Sequence, residues 1–374
     1  MKVIYSIAAK LAGGGIGKTS YNQVLGIYRH GLLKKVICDS AKEGHELDTR
    51  LVKKIHASFF ERLKIIPLKY QYALKDNLYD LMTLPHLQEA EIFHVWNGHG
   101  YHCLDKMSKF GALTVVERAS SHINTYERLL QEEYKRWGIS LNPVLSWAKK
   151  RMLEEYQKAD FISTPSEFSY QSMIEAGVET KKLVKLPYGV DASYFVPGNS
   201  EQKNDHFTVL FAGQVGFRKG VVYLLEAWKK LNLPNAKLVI LGEILNEFVD
   251  VVEKYKELTS VEFTGFREAL PYFQSSHLFV FPSLEEGSAL VTYEALACGL
   301  PVITTFESGS VVEDGMEGYL VGVRQVDQIA DRIRHLYDHV DLRDSMSRAA
   351  RRKALEYTWE ACGDRLVGWY KGLV

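Results

Sequence analysis

The chain has 374 residues, more than one ordinary hydrophobic core takes and enough for two domains of moderate size. Apolar residues make up 46% and charged residues 25%, a globular balance, and 46 Lys plus Arg offset 46 Asp plus Glu, so no global positive field argues for a nucleic-acid partner. Four widely spaced cysteines (Cys38, Cys103, Cys298, Cys362) form no C-x-x-C pair, which argues against a zinc site or a disulfide framework and fits a reducing cytoplasm.

Taken in order, "KVIYSI" predicts a buried strand, closed by the glycine turn "AGGGIGKTS" and followed by a helix through "YNQVLGIYRHG". Lys10 and the glycines mark this opening as a strand and turn rather than a leader peptide. Gly17-Lys18-Thr19 fits the end of a phosphate-binding P-loop, but the position five before Gly17 is Ala12, where that motif needs glycine. The best counterpart of a Walker B strand, "VICDS", is short. The strands "KKVICDS", "EIFHVW", "ALTVVE" and "ADFISTPS" continue a βαβ grammar that predicts a parallel sheet with crossover helices.

Residues 53–75, "KKIHASFFERLKIIPLKYQYALK", interleave Lys and Arg with Phe59, Phe60, Leu63, Ile66 and Tyr70. They read as a helix pair covering the first sheet with a basic outer face, or as a contact with an anionic membrane surface. A second βαβ series starts at "FTVLFAGQVGFRKG" and runs through "VVYLLEAWKKL", "KLVILGE", "VEFTGF", "LFVFPS" and "PVITT". Between the two, the Pro- and Gly-punctuated stretch "LPYGVDASYFVPGNSEQKND" predicts a linker. The expected division is a first doubly wound domain over 1–188 and a second over 189–354. An amphipathic helix over 355–374, anchored by Tyr357, Trp359, Leu366 and Trp369, is expected to pack back on the first. No stretch approaches the length of apolar residues needed to span a bilayer.

The densest chemistry lies in "FPSLEEGSALVTYEALACGLPVITT". A strand runs into a turn bearing Glu286 and Gly287, then a helix, then Gly299 as a stop. Glu286 and Glu294 stand eight steps apart, at most about 12 Å of helical rise. The amides of Gly287, Ser288, Ala289 and Leu290 at the helix start would face an anion held between them. An E-x7-E pair alone occurs often by chance. Embedded in P-S-x-x-E-G-x-x-x-x-x-x-E-A-x-A-x-G-x-P-V-I, it is a specific signal.

With this block in place, the chain resembles the retaining glycosyltransferases of family 4. "TPSEFSYQSMIEAGV", "LPYGVDASYF", "LFAGQVGFRKGVVYLLEA", "VEFTGF" and "GSVVEDGMEGYLV" follow in the family's order. The resemblance implies an α/β GT-B fold, two Rossmann-like domains facing across a cleft. It also implies transfer of a sugar from a nucleotide-diphosphate donor with retained configuration. Glu294 would then hold the ribose, Glu286 the donor sugar's hydroxyls, and the helix-start amides the diphosphate. Lys219 matches the family's phosphate-binding lysine; its usual arginine partner is replaced by Gln214, leaving Arg218 as the alternative second cation. Cations fixed there would lower the barrier by meeting the charge that builds on the departing diphosphate.

His122, in "VVERASSHINTYERLL", matches the family's histidine near the donor sugar, while His94 is expected to pack and His99 to pack or line the cleft. Gly14 and Gly15 match the family's first-domain turn, which makes the P-loop likeness incidental. Base contacts are expected near Gly265 and Phe266. No carboxylate presents itself as a covalent nucleophile, so a front-face mechanism is implied, with the leaving phosphate helping to deprotonate the acceptor. No D-x-D triplet occurs, so a metal-independent site is expected, with no cofactor and the nucleotide-sugar (uridine or guanosine) as co-substrate. The expected partners are that donor and a saccharide or lipid-linked acceptor, in polysaccharide or glycolipid synthesis. The expected location is the cytoplasm, with peripheral contact at the inner face of the membrane through 53–75. A nucleotide-sugar 2-epimerase and a non-catalytic nucleotide-sugar-binding protein are the competing readings on the same fold.

Overall fold

The computed structural model describes residues 1–58, 68–199 and 203–373. The chain divides into two compact units. The first comprises residues 1–131, 139–188 and 359–374; the second comprises 132–138 and 189–358.

In chain order the elements are β1 (Val3–Leu11), α1 (Ile16–Arg29), β2 (Leu33–Ala41), β3 (Val52–Lys54), α2 (Leu68–Thr83), β4 (Ile92–Trp96), α3 (Tyr101–Lys109) and β5 (Leu113–Glu117). Then come α4 (Ile123–Arg136), α5 (Ser146–Lys158), β6 (Phe161–Thr164), α6 (Glu167–Glu175) and β7 (Leu183–Lys185). The later half holds β8 (Phe207–Ala212), α7 (Val221–Leu231), β9 (Ala236–Leu241), α8 (Val249–Glu253), β10 (Val261–Gly265), α9 (Leu270–Ser275), β11 (Leu278–Phe281) and α10 (Leu290–Ala297). It ends with β12 (Val302–Thr304), β13 (Gly318–Leu320), α11 (Val326–Asp338), α12 (Val340–Glu356) and α13 (Trp359–Lys371).

All strand pairs are parallel, in the orders β3-β2-β1-β4-β5-β6-β7 and β10-β9-β8-β11-β12-β13. Each order steps outward, returns to the first strand and continues the other way, which is the doubly wound arrangement. Its cause is visible in the strands: β4, β8 and β11 are buried at every position. Continuous apolar burial is what a sheet covered by helices on both faces demands. The expected α/β class with two Rossmann-like sheets therefore holds.

Of the expected helix pair over 53–75, Lys53 and Lys54 fall instead in the edge strand β3, while residues 68–75 are helical, in α2. Phe59, Phe60, Leu63 and Ile66 of that expectation lie outside the described residues. The misreading at 53–54 is one of period. "LVKK" pairs with β2 through Val52, Lys53 and Lys54, and a three-residue edge strand is too short to reveal its alternation. The C-terminal helix starts at Trp359 and buries Trp359, Cys362, Leu366, Val367 and Tyr370 in the first unit. Its approach to α1 is close, because a Cβ on Gly26 would lie 2.6 Å from the Cα of Gly363.

Candidate active site in the second unit

The turn that follows β8 is built around Phe217. Its ring is 2% exposed, stacks on Trp137 at 5.0 Å, and meets Phe248 and Tyr134 edge-on at 5.0 and 5.6 Å. Trp137 and Tyr134 come from the 132–138 segment. That segment is tied down by the buried Glu133, which accepts from Tyr223 Oη (2.6 Å) and Arg324 Nε (2.7 Å). With Phe217 fixed, the single 3-10 turn Phe217–Lys219 projects Arg218 and Lys219 toward the loop after β11.

That loop is sewn to the turn by backbone. The Leu284 amide donates to the Arg218 carbonyl (2.9 Å), as does Ser283 Oγ (3.2 Å). Gly220 closes the joint. Its φ is +67°, and a Cβ there would lie 2.0 Å from the Pro282 carbonyl oxygen. Only glycine combines that left-handed backbone with so near an approach.

On this frame Arg218 Nη1 donates to Glu286 Oε1 (3.0 Å) and to the Glu285 carbonyl (3.0 Å), and Lys219 pairs with the same Glu286 oxygen. Lys219 is largely buried, so desolvation holds its ammonium well below the ordinary lysine range. The neighbouring Arg218 charge adds to this and the buried Glu285 opposes it. A solvated lysine at the start of α7 is therefore not what the fold builds. Both cations sit beside a carboxylate in a place poor in water.

The Glu286 amide is committed to the Glu307 carbonyl (2.8 Å), which anchors the loop. One expected donor is removed in the same way. The Ala289 amide donates to the Ser308 carbonyl (3.0 Å), because the Thr305–Ser308 turn packs against the helix start. Among the described residues, the amides of Gly287, Ser288 and Leu290 have no such acceptor. Ser288 Oγ hydrogen-bonds with Tyr293 Oη (3.0 Å). Glu294, one turn into α10, is half-buried, and its charge reaches Tyr194 and Cys298; the Cys298 thiol is pushed up to about 12, chiefly by burial.

Gln214 is exposed just past β8, and Phe266, following β10, is 80% exposed. Gln214, Arg218, Lys219, Phe266 and the 284–294 segment thus all follow the carboxyl ends of β8, β10 and β11. The strand order reverses between β8 and β11, which is where doubly wound sheets take their ligands.

The remaining expected residues belong to the first unit. Gly14 and Gly15 lie exposed beyond β1, Gly15 at φ +54°. Lys18 and Thr19 are early α1 residues. Gly17 is required there because a Cβ would lie 2.1 Å from the Lys10 carbonyl, a packing reason for the P-loop-like spelling.

His122 is 3% exposed, with its ring 5.2 Å from that of Tyr156 in α5 and its amide on Ser172 Oγ (2.8 Å). Burial, with the charges of Arg118 and Lys149, lowers its imidazole to about 4, so it is neutral near pH 7. It lines a 290 Å³ cavity with Asn124, Gln157 and Lys182. His94 is fully buried between Glu117 and Tyr370, a packing role. His99 is buried too, accepts from the Ala8 amide (3.2 Å) and is lowered to about 3 by desolvation, then Lys75 and Arg151.

The sequence reading missed Glu117. It accepts from Gln23 (3.0 Å) and Tyr188 (2.9 Å) and meets His94 (2.9 Å), at the buried end of β5. It also missed Arg118 beside it. The signal was a charged pair ending an apolar strand, "LTVVER".

Comparison with known proteins bears on the fold. Residues 196–353 match the family model described as "Glycosyl transferases group 1". The D-inositol 3-phosphate glycosyltransferase of Paenarthrobacter aurescens is 28% identical over 218 residues, 53% of this chain and 53% of that protein. The chain spans about half the length of the curated relatives it matches. Among solved structures, sucrose-phosphate synthase from Thermosynechococcus elongatus superposes with a TM-score of 0.75 at 16% identity, covering 100% of this chain and 99% of that one. Anabaena Alr3699/HepE, in complex with UDP and glucose, gives 0.70 at 17%, covering all of both chains. By its sheet topology and the fold it shares with these neighbours, the chain has the GT-B fold, and its residues 196–353 are similar to the group 1 glycosyl transferases.

Proposed function

We propose that the protein is a retaining glycosyltransferase that moves a hexose from a nucleotide-diphosphate sugar to a saccharide or lipid-linked acceptor, in polysaccharide or glycolipid synthesis. The observation that carries this is the joint between the turns after β8 and β11. Two cations, Arg218 and Lys219, share one carboxylate there, beside the amides of Gly287, Ser288 and Leu290. In this reading the diphosphate lies on those amides, and the charge of the leaving nucleotide is met by Lys219 with Arg218 in place of the missing arginine. Glu286 takes the donor sugar's hydroxyls, Glu294 the ribose, and Phe266 and Gln214 border the base and phosphates. Gly14, Gly15 and the neutral His122, all of the first unit, belong to the same proposal. The reading involves no cofactor and no metal.

The protein titled Alr3699/HepE is seen with UDP, with UDP and glucose, and with UDP-glucose, which supports a uridine donor here. Among the described residues no helix is long and apolar enough to cross a membrane. A cytoplasmic site of action with peripheral membrane contact through 53–75 belongs to the same proposal; co-sedimentation with anionic vesicles tests the contact.

A thermal-shift screen of uridine and guanosine diphosphate sugars is the direct test, followed by product analysis. A ligand at a hundred times its dissociation constant adds about 2.7 kcal/mol of stability. A new glycoside supports the reading; an epimerised donor, or binding without turnover, replaces it.

A further inference from the structure

The first unit contains a cavity of 330 Å³ that none of the donor-site assignments uses. It is walled by Tyr72 of α2, Asp76, Arg118, Ser120, Tyr126 of α4 and Met152 of α5. Its size is at the small end of ligand pockets, enough for a single sugar ring rather than a chain.

Arg118 decides its chemistry. The residue is 8% exposed. It donates Nε to the Ser121 carbonyl (2.8 Å) and Nη1 to Asn97 Oδ1 (3.3 Å), both neutral acceptors. Among the described residues no carboxylate lies within ion-pairing distance of it. A guanidinium has five donors and cannot shed its charge, and a buried charge without a counter-ion is costly. Two part-buried cations of this layer are matched: Arg151 lies on Asp80 at 3.0 Å, and Lys149 on Glu127 at 2.5 Å.

Asp76, on the same cavity wall, has its counter-charge from Lys75 Nζ at 3.8 Å, with the neutral His99 ring at 3.7 Å. The cavity thus offers one unneutralised planar cation, one carboxylate able to accept hydroxyls, and two tyrosine rings. A planar fork of donors suits a carboxylate or phosphate, and aromatic faces suit the C–H face of a pyranose.

We propose that this cavity is the acceptor subsite for a monosaccharide bearing an oxyanion, whose carboxylate or phosphate meets Arg118 while its hydroxyls address Asp76. The proposal rests on the transferase reading and narrows its acceptor to an anionic sugar unit, free or at the end of a larger molecule.

The test is calorimetry on the full chain with glucose 6-phosphate, glucuronate, glucose and inorganic phosphate, in saturating UDP so that the second unit's anion site is filled. Glucose 6-phosphate or glucuronate should bind at least about ten-fold more tightly than glucose and than inorganic phosphate, the worth of a charged hydrogen-bond pair. The preferred one of the two identifies phosphate or carboxylate as the anion. Arg118→Gln should abolish the preference and Arg118→Lys keep part of it. Ala148→Trp, which fills the cavity from another wall without altering the guanidinium, should remove binding of all the sugars.

Glucose binding as tightly as both anionic sugars overturns the proposal. So do inorganic phosphate matching them, no sugar binding in the unaltered protein, and a preference that survives Arg118→Gln. A separate UDP titration isolates the parent reading. Loss of UDP binding with the glucose 6-phosphate response intact counts against the transferase and not the cavity; the converse removes the cavity alone.

Discussion

At the scale of single residues, Glu286 does two things at once: it accepts from Arg218 and Lys219, and in the proposed reaction it holds the donor sugar. Its removal should therefore separate binding from turnover. Glu286→Ala is expected to lower kcat by about a hundred-fold or more, while UDP affinity holds or tightens because two cations lose their carboxylate. Glu294→Ala should instead weaken donor binding by roughly 1–3 kcal/mol, as expected for a lost ligand hydrogen bond at a half-buried carboxylate. Steady-state kinetics with UDP inhibition measures both; unchanged constants in the two variants would remove the site assignment. His122 has a packing role on Tyr156 whatever else it does. His122→Gln should cost more than about ten-fold in kcat with a small change in melting temperature if the imidazole serves the reaction. A drop in melting temperature with kcat intact would assign it to structure.

At the scale of elements, two joints are decisive. Gly220 joins the β8 and β11 turns, and Gly220→Ala adds a Cβ that would lie 2.0 Å from the Pro282 oxygen on a backbone already at φ +67°. The turns should part, with loss of the UDP-induced thermal shift at melting temperatures where the first unit still folds. The second joint is between α1 and α13, where Gly26 and Gly363 let the backbones touch. Gly363→Val should push α13 outward and strain its burial of Leu366, Val367 and Tyr370. The expected cost is at least about 1–3 kcal/mol in denaturant unfolding, the usual penalty of overpacking. A neutral Gly363→Val would mean that α13 docks elsewhere in solution.

At the scale of the whole molecule, buried titrating groups set a direction for acid stability. His99, His122 and His277 fall from 6.5 to about 3, 4 and 4, mainly by burial. Between pH 6.5 and 4 the unfolded chain binds protons at these sites and the folded chain does not. Their neutral burial therefore costs nothing above pH 6.5, and stability is lost progressively as pH falls below it. Glu155 works oppositely. Desolvation outweighs the Gly98 and Gly100 amides that it accepts from, and raises it to about 7. The stability it contributes is full below about 4.5 and is lost as pH rises toward 7. Three imidazoles against Glu155 and Glu307, which burial also raises, leave a net loss on acidification from 6.5 to 4.5, to be read as melting temperature against pH. His122→Gln should flatten that slope and Glu155→Gln should steepen it; a flat profile in the unaltered protein would contradict the burial of these rings.

What the sequence by itself determined is the part written in local periodicity and spacing. The continuous apolar runs of β4, β8 and β11 with glycine turns between them specify two parallel, helix-covered sheets. The E-G block before α10 specifies where a helix mouth opens at a strand end. Those signals are local because burial on both faces and a helix start are each encoded within a dozen residues. Only tertiary structure decided which groups share an environment. Phe217 looked like an ordinary apolar residue until the 132–138 segment closed on it; the Ala289 amide looked free until Ser308 took it. Arg118, spelled beside Glu117 at a strand end, showed no lack of a partner until Glu117 was seen to be spent on Gln23, Tyr188 and His94. Electrostatics and hydrogen bonding act over a few ångströms of space rather than a few positions of chain, and the contacts that pair or isolate a charge join residues tens to hundreds of positions apart.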